Sequence, residues 1–290
     1  MSAPLIIEVA VNGAVDRACN PHVPLEPAEV ASVALACIDA GASIVHAHAG
    51  SPVRGRSVRH PSGPYVAAFE PVLVRAPGAL LYPTLPGGAP GLTMAERFAH
   101  IDELRTAGLL RLAPVDPGTL NWGRAETKGP PVSTTLYQTT FEDVDYAFAY
   151  CRGTGIGCTL SIFEPGFLQL ALAHRRSGTL PTATLVKFEF SAGAQLFGLP
   201  PSRESLDAYI AMLAGTGLPW MVTLRGGDAV RSIGALAVER GGHLRVGIED
   251  FGGERSPSNV ELVREAVALG ARFGRALASP EQTANLIGLG

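Results

Sequence analysis

Charge is scarce in this 290-residue chain. Asp, Glu, Lys and Arg make up 17% of it, and the formal net charge is −3. Without a basic excess there is no electrostatic reason to expect nucleic acid or an anionic membrane as a partner. Cysteine is scarce as well: Cys19, Cys37, Cys151 and Cys158 form no C-x-x-C pair and no disulfide-like framework. Cys37 falls in a helical pattern and reads as a small core residue. No apolar run reaches the ~18 residues of a membrane span, and no N-terminal signal pattern is present. A reducing cytoplasm is the expected setting.

What the chain does have is apolar residues, 47% of the total. That share suits strands buried on both faces, as in a parallel sheet covered by helices. Eight short β-rich runs stand at 5–11, 43–48, 79–84, 110–115, 158–163, 183–190, 219–224 and 243–249. Helical patterns lie between them. In 27–39, Ala28, Val30, Val33 and Ala36 recur at near-helical spacing. In 258–272, Val260, Val263, Val267 and Ala271 do the same, with Ser258 as N-cap. Eight βα units of this length predict a (β/α)8 TIM barrel of the α/β class, with a doubly wound open sheet as the rival. Nothing divides the chain, so residues 1–290 are read as one domain closed by a short helix from Ser279 to Leu289. The Gly/Pro clusters at 86–91 and 128–131 read as βα-loops.

The second run ends in Ser43-Ile-Val-His-Ala-His48, which places His46 and His48 on one side of a strand. The last run ends Arg245-Val-Gly-Ile-Glu249-Asp250. Strand ends of a barrel converge on one mouth, and the second and eighth strands both flank the first. Two imidazoles and one carboxylate, His46, His48 and Glu249, are the donor set of a catalytic zinc site with an open position. Mn, Co, Ni or Fe(II) suit the same donors. Counting back by twos from Glu249 puts Gly247, Arg245 and His243 on the same face, with the glycine leaving room in the lumen.

These residues carry a resemblance. Val11-Asn-Gly-Ala14, Asn20-Pro21 with Pro24, Ala40 to His48, Asp116-Pro-Gly-Thr-Leu-Asn121 and Gly241-Gly-His-Leu-Arg-Val-Gly-Ile-Glu-Asp250 resemble the β-keto acid cleavage enzymes, nearly end to end. The named member of that family acts on 3-keto-5-aminohexanoate. The resemblance implies a barrel, usually tetrameric, with one divalent metal, typically zinc, on His46, His48 and Glu249. It implies a transfer in which a β-keto acid and acetyl-CoA give acetoacetate and the acyl-CoA of the remaining fragment. Asp250, beside a metal ligand, is then placed to move a proton. Arg245 orients that carboxylate and holds it ionised. Thr84 matches the hydroxyl residue that contacts the keto acid, and Gly87 and Gly88 offer bare backbone N–H groups to substrate oxygens. Thr119 and Asn121 read equally well as loop-forming or binding residues.

Three departures bear on substrate. Val15 stands where the named member has a glutamate for the substrate's ammonium group, Ala49-Gly50 replaces Arg-Asp, and Thr159-Leu-Ser161 replaces an acidic pattern. A valine cannot pair with a cation, so a neutral, apolar or anionic β-keto acid is expected. Glu8, Lys187 and Glu189 alternate with apolar neighbours and predict a paired network in the lumen, such as Glu8–Lys187. Glu189 alternatively shares in proton chemistry. Arg54 and Arg56 can receive a distal carboxylate or a CoA phosphate, and Arg225-Gly-Gly-Asp228 opens a helix that can bind an anion. The competing readings are a metal-dependent aldolase or C–C lyase without CoA, an amidohydrolase-type metallohydrolase, and a non-catalytic metabolite-binding relative.

Overall fold

Strand alternation and helix capping reappear in the structure, a computed structural model that describes residues 3–49, 58–89, 91–124, 130–193 and 195–290. Arg54 and Arg56, with Gly50, lie outside the described residues, as does part of the 128–131 cluster. Eight parallel strands form one sheet: β1 (Ile7–Ala10), β2 (Ile44–Ala47), β3 (Leu80–Pro83), β4 (Leu112–Val115), β7 (Gly157–Ile162), β8 (Thr184–Ser191), β9 (Trp220–Arg225) and β10 (His243–Val246). Their order is β3-β2-β1-β10-β9-β8-β7-β4, and β3 packs beside β4 to bring the sheet round. With the alternating helices this is the predicted (β/α)8 barrel. Each of the eight runs supplies one strand, buried on both faces as a covered parallel sheet requires.

Two strands were not expected. β5 (Leu120–Arg124) and β6 (Val132–Tyr137) form an antiparallel hairpin in the connection between β4 and helix α4 (Phe141–Thr154). The register shifts between Trp122 and Gly123, so no clean two-residue alternation marks the hairpin in the sequence. It stands at the C-terminal mouth of the barrel.

The helices follow their caps. Helix α8 (Asn259–Arg272) begins at Ser258, whose side chain accepts from the Glu261 amide in a capping box. It buries Leu262, Val263, Ala266 and Leu269, a face rotated from the predicted valine stripe. Helix α1 (Pro27–Ala40) likewise buries Val30, Ala31, Ala34 and Cys37, while Ala28 and Ala36 are exposed. In both, small and branched apolar residues recur on two faces, and packing against the sheet selects one of them. Helix α9 (Pro280–Ile287) is the predicted terminal helix. Its Ala284 and Ile287 pack with Ile6, Ile44, Leu80, Leu185 and Met221. This layer plugs the N-terminal end of the lumen and leaves the opposite end to chemistry.

His243 belongs to that lower end rather than to the site. Its Nδ1 accepts from the Ile6 amide at 3.1 Å and faces the Arg275 guanidinium at 3.3 Å. Burial, with Arg275 beside it, pushes the imidazole down to about 3. The unfolded chain, where a histidine titrates near 6.5, therefore takes up the proton first, and stability falls as the pH drops from about 6.5 toward 3. Between pH 7 and pH 5 this one group accounts for about 2 kcal/mol. His243→Asn, which keeps an acceptor and removes the titration, is expected to lose about that much less over the interval. Urea unfolding at the two pH values measures the difference.

Candidate metal centre and active-site cavity

Strand alternation turns His46 and His48 to the same side, with ring centroids 5.2 Å apart. Glu249 reaches them from a turn three residues past the end of β10. Gly247 in that turn has φ +136°, and a Cβ there would lie 2.1 Å from the Ala10 carbonyl oxygen. Glycine is thus required for a close backbone crossing, not for room in the lumen. The crossing is fixed by the Glu249 amide, which donates to the Ala10 carbonyl at 3.2 Å. A Glu249 oxygen lies 3.3 Å from Nε2 of His46 and the other 3.6 Å from Nε2 of His48.

The three residues are a candidate metal site, their ligating atoms all within 4.8 Å of one another. A tetrahedral cation with bonds near 2.0–2.1 Å spaces its ligands by about 3.3 Å. Nε2 of His48 and Oε2 of Glu249 are buried and, among the described residues, have no hydrogen-bond partner. Such atoms are costly unless something else fills their valence, so the residues fit a divalent ion. Their charge states fit too. Burial, partly offset by Glu249, pushes His46 down to about 4 and keeps it a neutral donor. Burial opposes ionisation of Glu249, but His46, Arg245 and His48 outweigh it and hold the carboxyl well below its usual range.

Two asparagines outside the expected site hold these ligands in place. Asn12 donates from Nδ2 to the His48 carbonyl at 2.7 Å and accepts the His48 amide on Oδ1 at 2.9 Å. Both backbone groups of a ligand residue are thereby fixed. Asn259, at the start of α8, donates to the Val11 carbonyl at 2.8 Å and accepts the Ile248 amide at 2.9 Å, pinning the Glu249 turn to β1. Gly13, at φ +56°, lies against Glu249, where a Cβ would be 2.3 Å from its Cγ. An Asn-Gly pair alone signals only a turn, which is why this role is not legible before the fold is known.

Below the ligands the lumen is charged. Arg245 donates from Nε to Asp250 at 2.7 Å and from Nη1 to Glu8 at 2.8 Å, and it lies 3.2 Å from Glu249. Lys187 lies 3.6 Å from Glu8 and donates to the Tyr82 hydroxyl at 2.9 Å, while Tyr82 donates to Glu8. The expected Glu8–Lys187 pair is present. Burial raises the Glu8 carboxyl, but Lys187 and Arg245 prevail and lower it. Arg225, the last residue of β9, turns into the site, 3.2 Å from Glu189, 3.2 Å from Glu249 and 3.0 Å from Asp250. Burial works against the Asp250 charge, yet Arg225 and Arg245 keep the carboxyl below its ordinary value. The Thr223 hydroxyl donates to Asp250 at 2.8 Å. Glu189 is fully buried against Arg225, and burial raises its carboxyl.

Arg225 is therefore not a free anion contact at a helix start. Asp228 accepts the Arg231 amide at 3.2 Å there and pairs with Arg255 at 2.7 Å, so a carboxylate already occupies that position. The Thr119 hydroxyl donates to the Thr139 carbonyl and accepts the Thr139 amide, the loop-forming role, and Asn121 is exposed on the hairpin.

A cavity of about 220 Å³ opens over this floor. His46, His48, Glu249, Arg245 and Lys187 line it on one side, and Thr84 and Gly87 lie on its rim. Gly88 does not line it. A Cβ at Gly88 would meet the Gln138 carbonyl at 1.6 Å, so this glycine serves the approach of the hairpin. Val15 is half-buried and also off the wall, where Ala14 stands instead. The far side carries Asp116, Trp122, Tyr137 and Phe163. His60, buried and with neither ring nitrogen bonded among the described residues, completes the wall.

A (β/α)8 barrel with a candidate divalent-metal site at its mouth is the class of protein that fold and site define. The chain belongs to the β-keto acid cleavage enzyme family, whose model matches residues 4–289. It is 28% identical to a 3-keto-5-aminohexanoate cleavage enzyme of Fusobacterium nucleatum, over 100% of this chain and 99% of that protein. It is also 28% identical to a 3-oxoadipate:acetyl-CoA acetyltransferase of Cupriavidus necator, over 100% and 96%. Among solved structures, ObcA in complex with oxaloacetate superposes with a TM-score of 0.70 at 18% identity, covering 93% of this chain and 68% of that one, a likeness of fold. Family and donor set together support metal-assisted keto-acid and acyl-CoA transfer chemistry.

Asn12→Ala is expected to weaken metal affinity by about 10- to 100-fold while the barrel stays folded, as loss of a group that orients a ligand does. Competition against a chelator, with circular dichroism as the folding control, reads this. Unaltered affinity would mean that the strand end holds His48 without help.

Proposed function

We propose that the protein cleaves a β-keto acid with acetyl-CoA, yielding acetoacetate and an acyl-CoA. The observation that carries this reading is the convergence of His46, His48 and Glu249 beside the Arg245–Asp250 pair. His46, His48 and Glu249 would hold zinc or another divalent ion, which would supply Lewis acidity to the ketone of the β-keto acid. Asp250, kept ionised by Arg225 and Arg245, does not itself line the cavity, so it takes a proton from C2 of the keto acid by way of the Arg245 guanidinium, which does. The resulting carbanion attacks the thioester carbonyl and expels the CoA thiolate. The thiolate adds to the original ketone, and the bond between C2 and that carbon breaks. Asp250 returns its proton to C2 of the departing acetoacetate. Arg245 is the positioning residue for Asp250, and Thr84 with the Gly87 backbone holds the carboxylate end.

The substrate in this reading is not 3-keto-5-aminohexanoate, because Val15 offers nothing to a primary ammonium and does not reach the cavity. A homotetramer is the accompanying proposal from the family resemblance, and a reducing cytoplasm the one from the cysteine content.

The reading is tested by acetoacetate formation from a panel of β-keto acids with metal-replete protein and acetyl-CoA. Glu249→Ala is expected to lose metal and turnover together. Asp250→Asn is expected to keep metal and lose turnover by about 10²- to 10⁴-fold, the usual share of a proton-transfer group. Asp250→Asn at full rate removes that residue from the mechanism, and cleavage that proceeds without acetyl-CoA replaces the transfer with a lyase reaction.

A further inference from the structure

We infer that Asp116, with the aromatic wall of Trp122, Tyr137 and Phe163, reads the substrate's tail, and that this tail carries an alkylated ammonium. The inference rests on the β-keto acid reading above and adds the chemical class of the group farthest from the metal ligands.

Of the charged side chains on the cavity wall, most have an opposite charge at ion-pair distance. Lys187 has Glu8 at 3.6 Å, Arg225 has Asp250 at 3.0 Å, and Arg245 has Glu8 at 2.8 Å and Glu249 at 3.2 Å. Asp116 differs. It is only 9% exposed, and among the described residues no cation reaches it. Its side chain accepts from the Tyr137 hydroxyl, and Arg97 approaches that hydroxyl at 3.4 Å rather than the carboxylate. A buried carboxylate with a single neutral donor therefore faces the space that the tail must fill.

Each kind of tail meets this wall differently. A carboxylate tail brings a second negative charge against Asp116. An apolar tail strips the remaining water from Asp116 and returns no donor, which leaves a charge desolvated and unpaired. A positive tail supplies the missing partner. The neighbouring surface then narrows the kind of cation. Trp122 and Phe163 have centroids 5.6 Å apart, Trp122 and Tyr137 6.1 Å, and Tyr137 and Phe163 6.4 Å, so the three rings form one continuous patch. Ring faces attract a cation but accept few N–H bonds. A primary ammonium, with three donors, would find as side-chain acceptors on this wall Asp116, Ser161 and a Tyr137 hydroxyl that already accepts from Arg97. An ammonium bearing methyl groups needs no such acceptors and presents methyls to the rings. The absence of an acid at position 15 thus does not make the substrate neutral or anionic. The cation-reading group stands across the barrel instead, on the connection after β4 and the hairpin.

The test uses isosteres that differ in charge alone. Turnover with acetyl-CoA is compared for 3-oxobutanoates bearing a trimethylammonium group or a tert-butyl group at C4, together with 3-oxoadipate. In parallel, calorimetry compares binding of 4-(trimethylammonio)butanoate and its carbon isostere 5,5-dimethylhexanoate to the metal-replete protein. The cationic member of each pair is expected to be favoured by about tenfold or more, the effect of one charge contact plus a cation–π contact. Asp116→Asn is expected to collapse that ratio, and Trp122→Leu to reduce it should the first variant not fold. Equal treatment of the two isosteres by the wild type, a preference for 3-oxoadipate, or a ratio that survives Asp116→Asn overturns the inference. If no keto acid yields acetoacetate, the reaction reading fails, and the calorimetric ratio alone decides the tail.

Discussion

A single guanidinium, that of Arg245, ties the lower lumen to the mouth of this barrel. It touches Glu8 on β1, Asp250 and Glu249 on the turn after β10, and the hydroxyl of Tyr82 on β3. Breaking a buried ion pair by deleting one partner costs about 3–5 kcal/mol, because the other is left charged and dry. Here three carboxylates share that dependence. The same contacts that keep the lumen from flying apart electrostatically also orient Asp250 and keep Glu249 ionised, so stability and chemistry draw on one group. An arginine suits this place better than a lysine, since its fixed fork serves several acceptors at once and its charge persists at any working pH.

Around that charge the candidate ligands are held through backbone rather than side chain. Asn12 grips both peptide groups of His48, Asn259 joins Val11 to Ile248, and the Glu249 amide bonds Ala10. All of these meet at the end of β1, which lies between β2 and β10 in the sheet. The first strand therefore provides no candidate ligand of its own but fixes the spacing between those of its neighbours. Gly13 and Gly247 are the two places where that crossing leaves no room for a Cβ.

The barrel was legible because burial on both faces makes each strand a continuous apolar run, and because helices separate the runs at regular intervals. The His46–His48 pair was legible from the two-residue period, and Glu249 from its place at the opposite flank of β1. Other features depend on what lies across space. Helix α1 offers two apolar stripes, and only the sheet decides that Ala31 and Ala34 go inward. Arg225 reads as part of an anion contact at a helix start until β9 is seen to end beside three carboxylates. The hairpin carries Trp122 and Tyr137 on strands with no alternating pattern, and Gly247 signals a need for space without saying on which side. Asn12 looks like turn chemistry because its partner His48 is 36 residues away.

The charges of the lumen also divide the cavity into two electrostatically separate ends. With Glu189 ionised against Arg225, four carboxylates, Glu8, Glu189, Glu249 and Asp250, are interleaved with three cations, Lys187, Arg225 and Arg245, which leaves one negative charge over. A divalent ion on the ligands turns that into one positive charge, the complement of a single substrate carboxylate. This balance closes within the head of the site and has nothing left with which to neutralise Asp116 on the opposite wall. The tail end is consequently free to set its own electrostatic demand through residues on the hairpin and on the ends of β4 and β7. In the proposed reaction, substitutions there would change which acyl group is accepted without disturbing the charges on which the head depends.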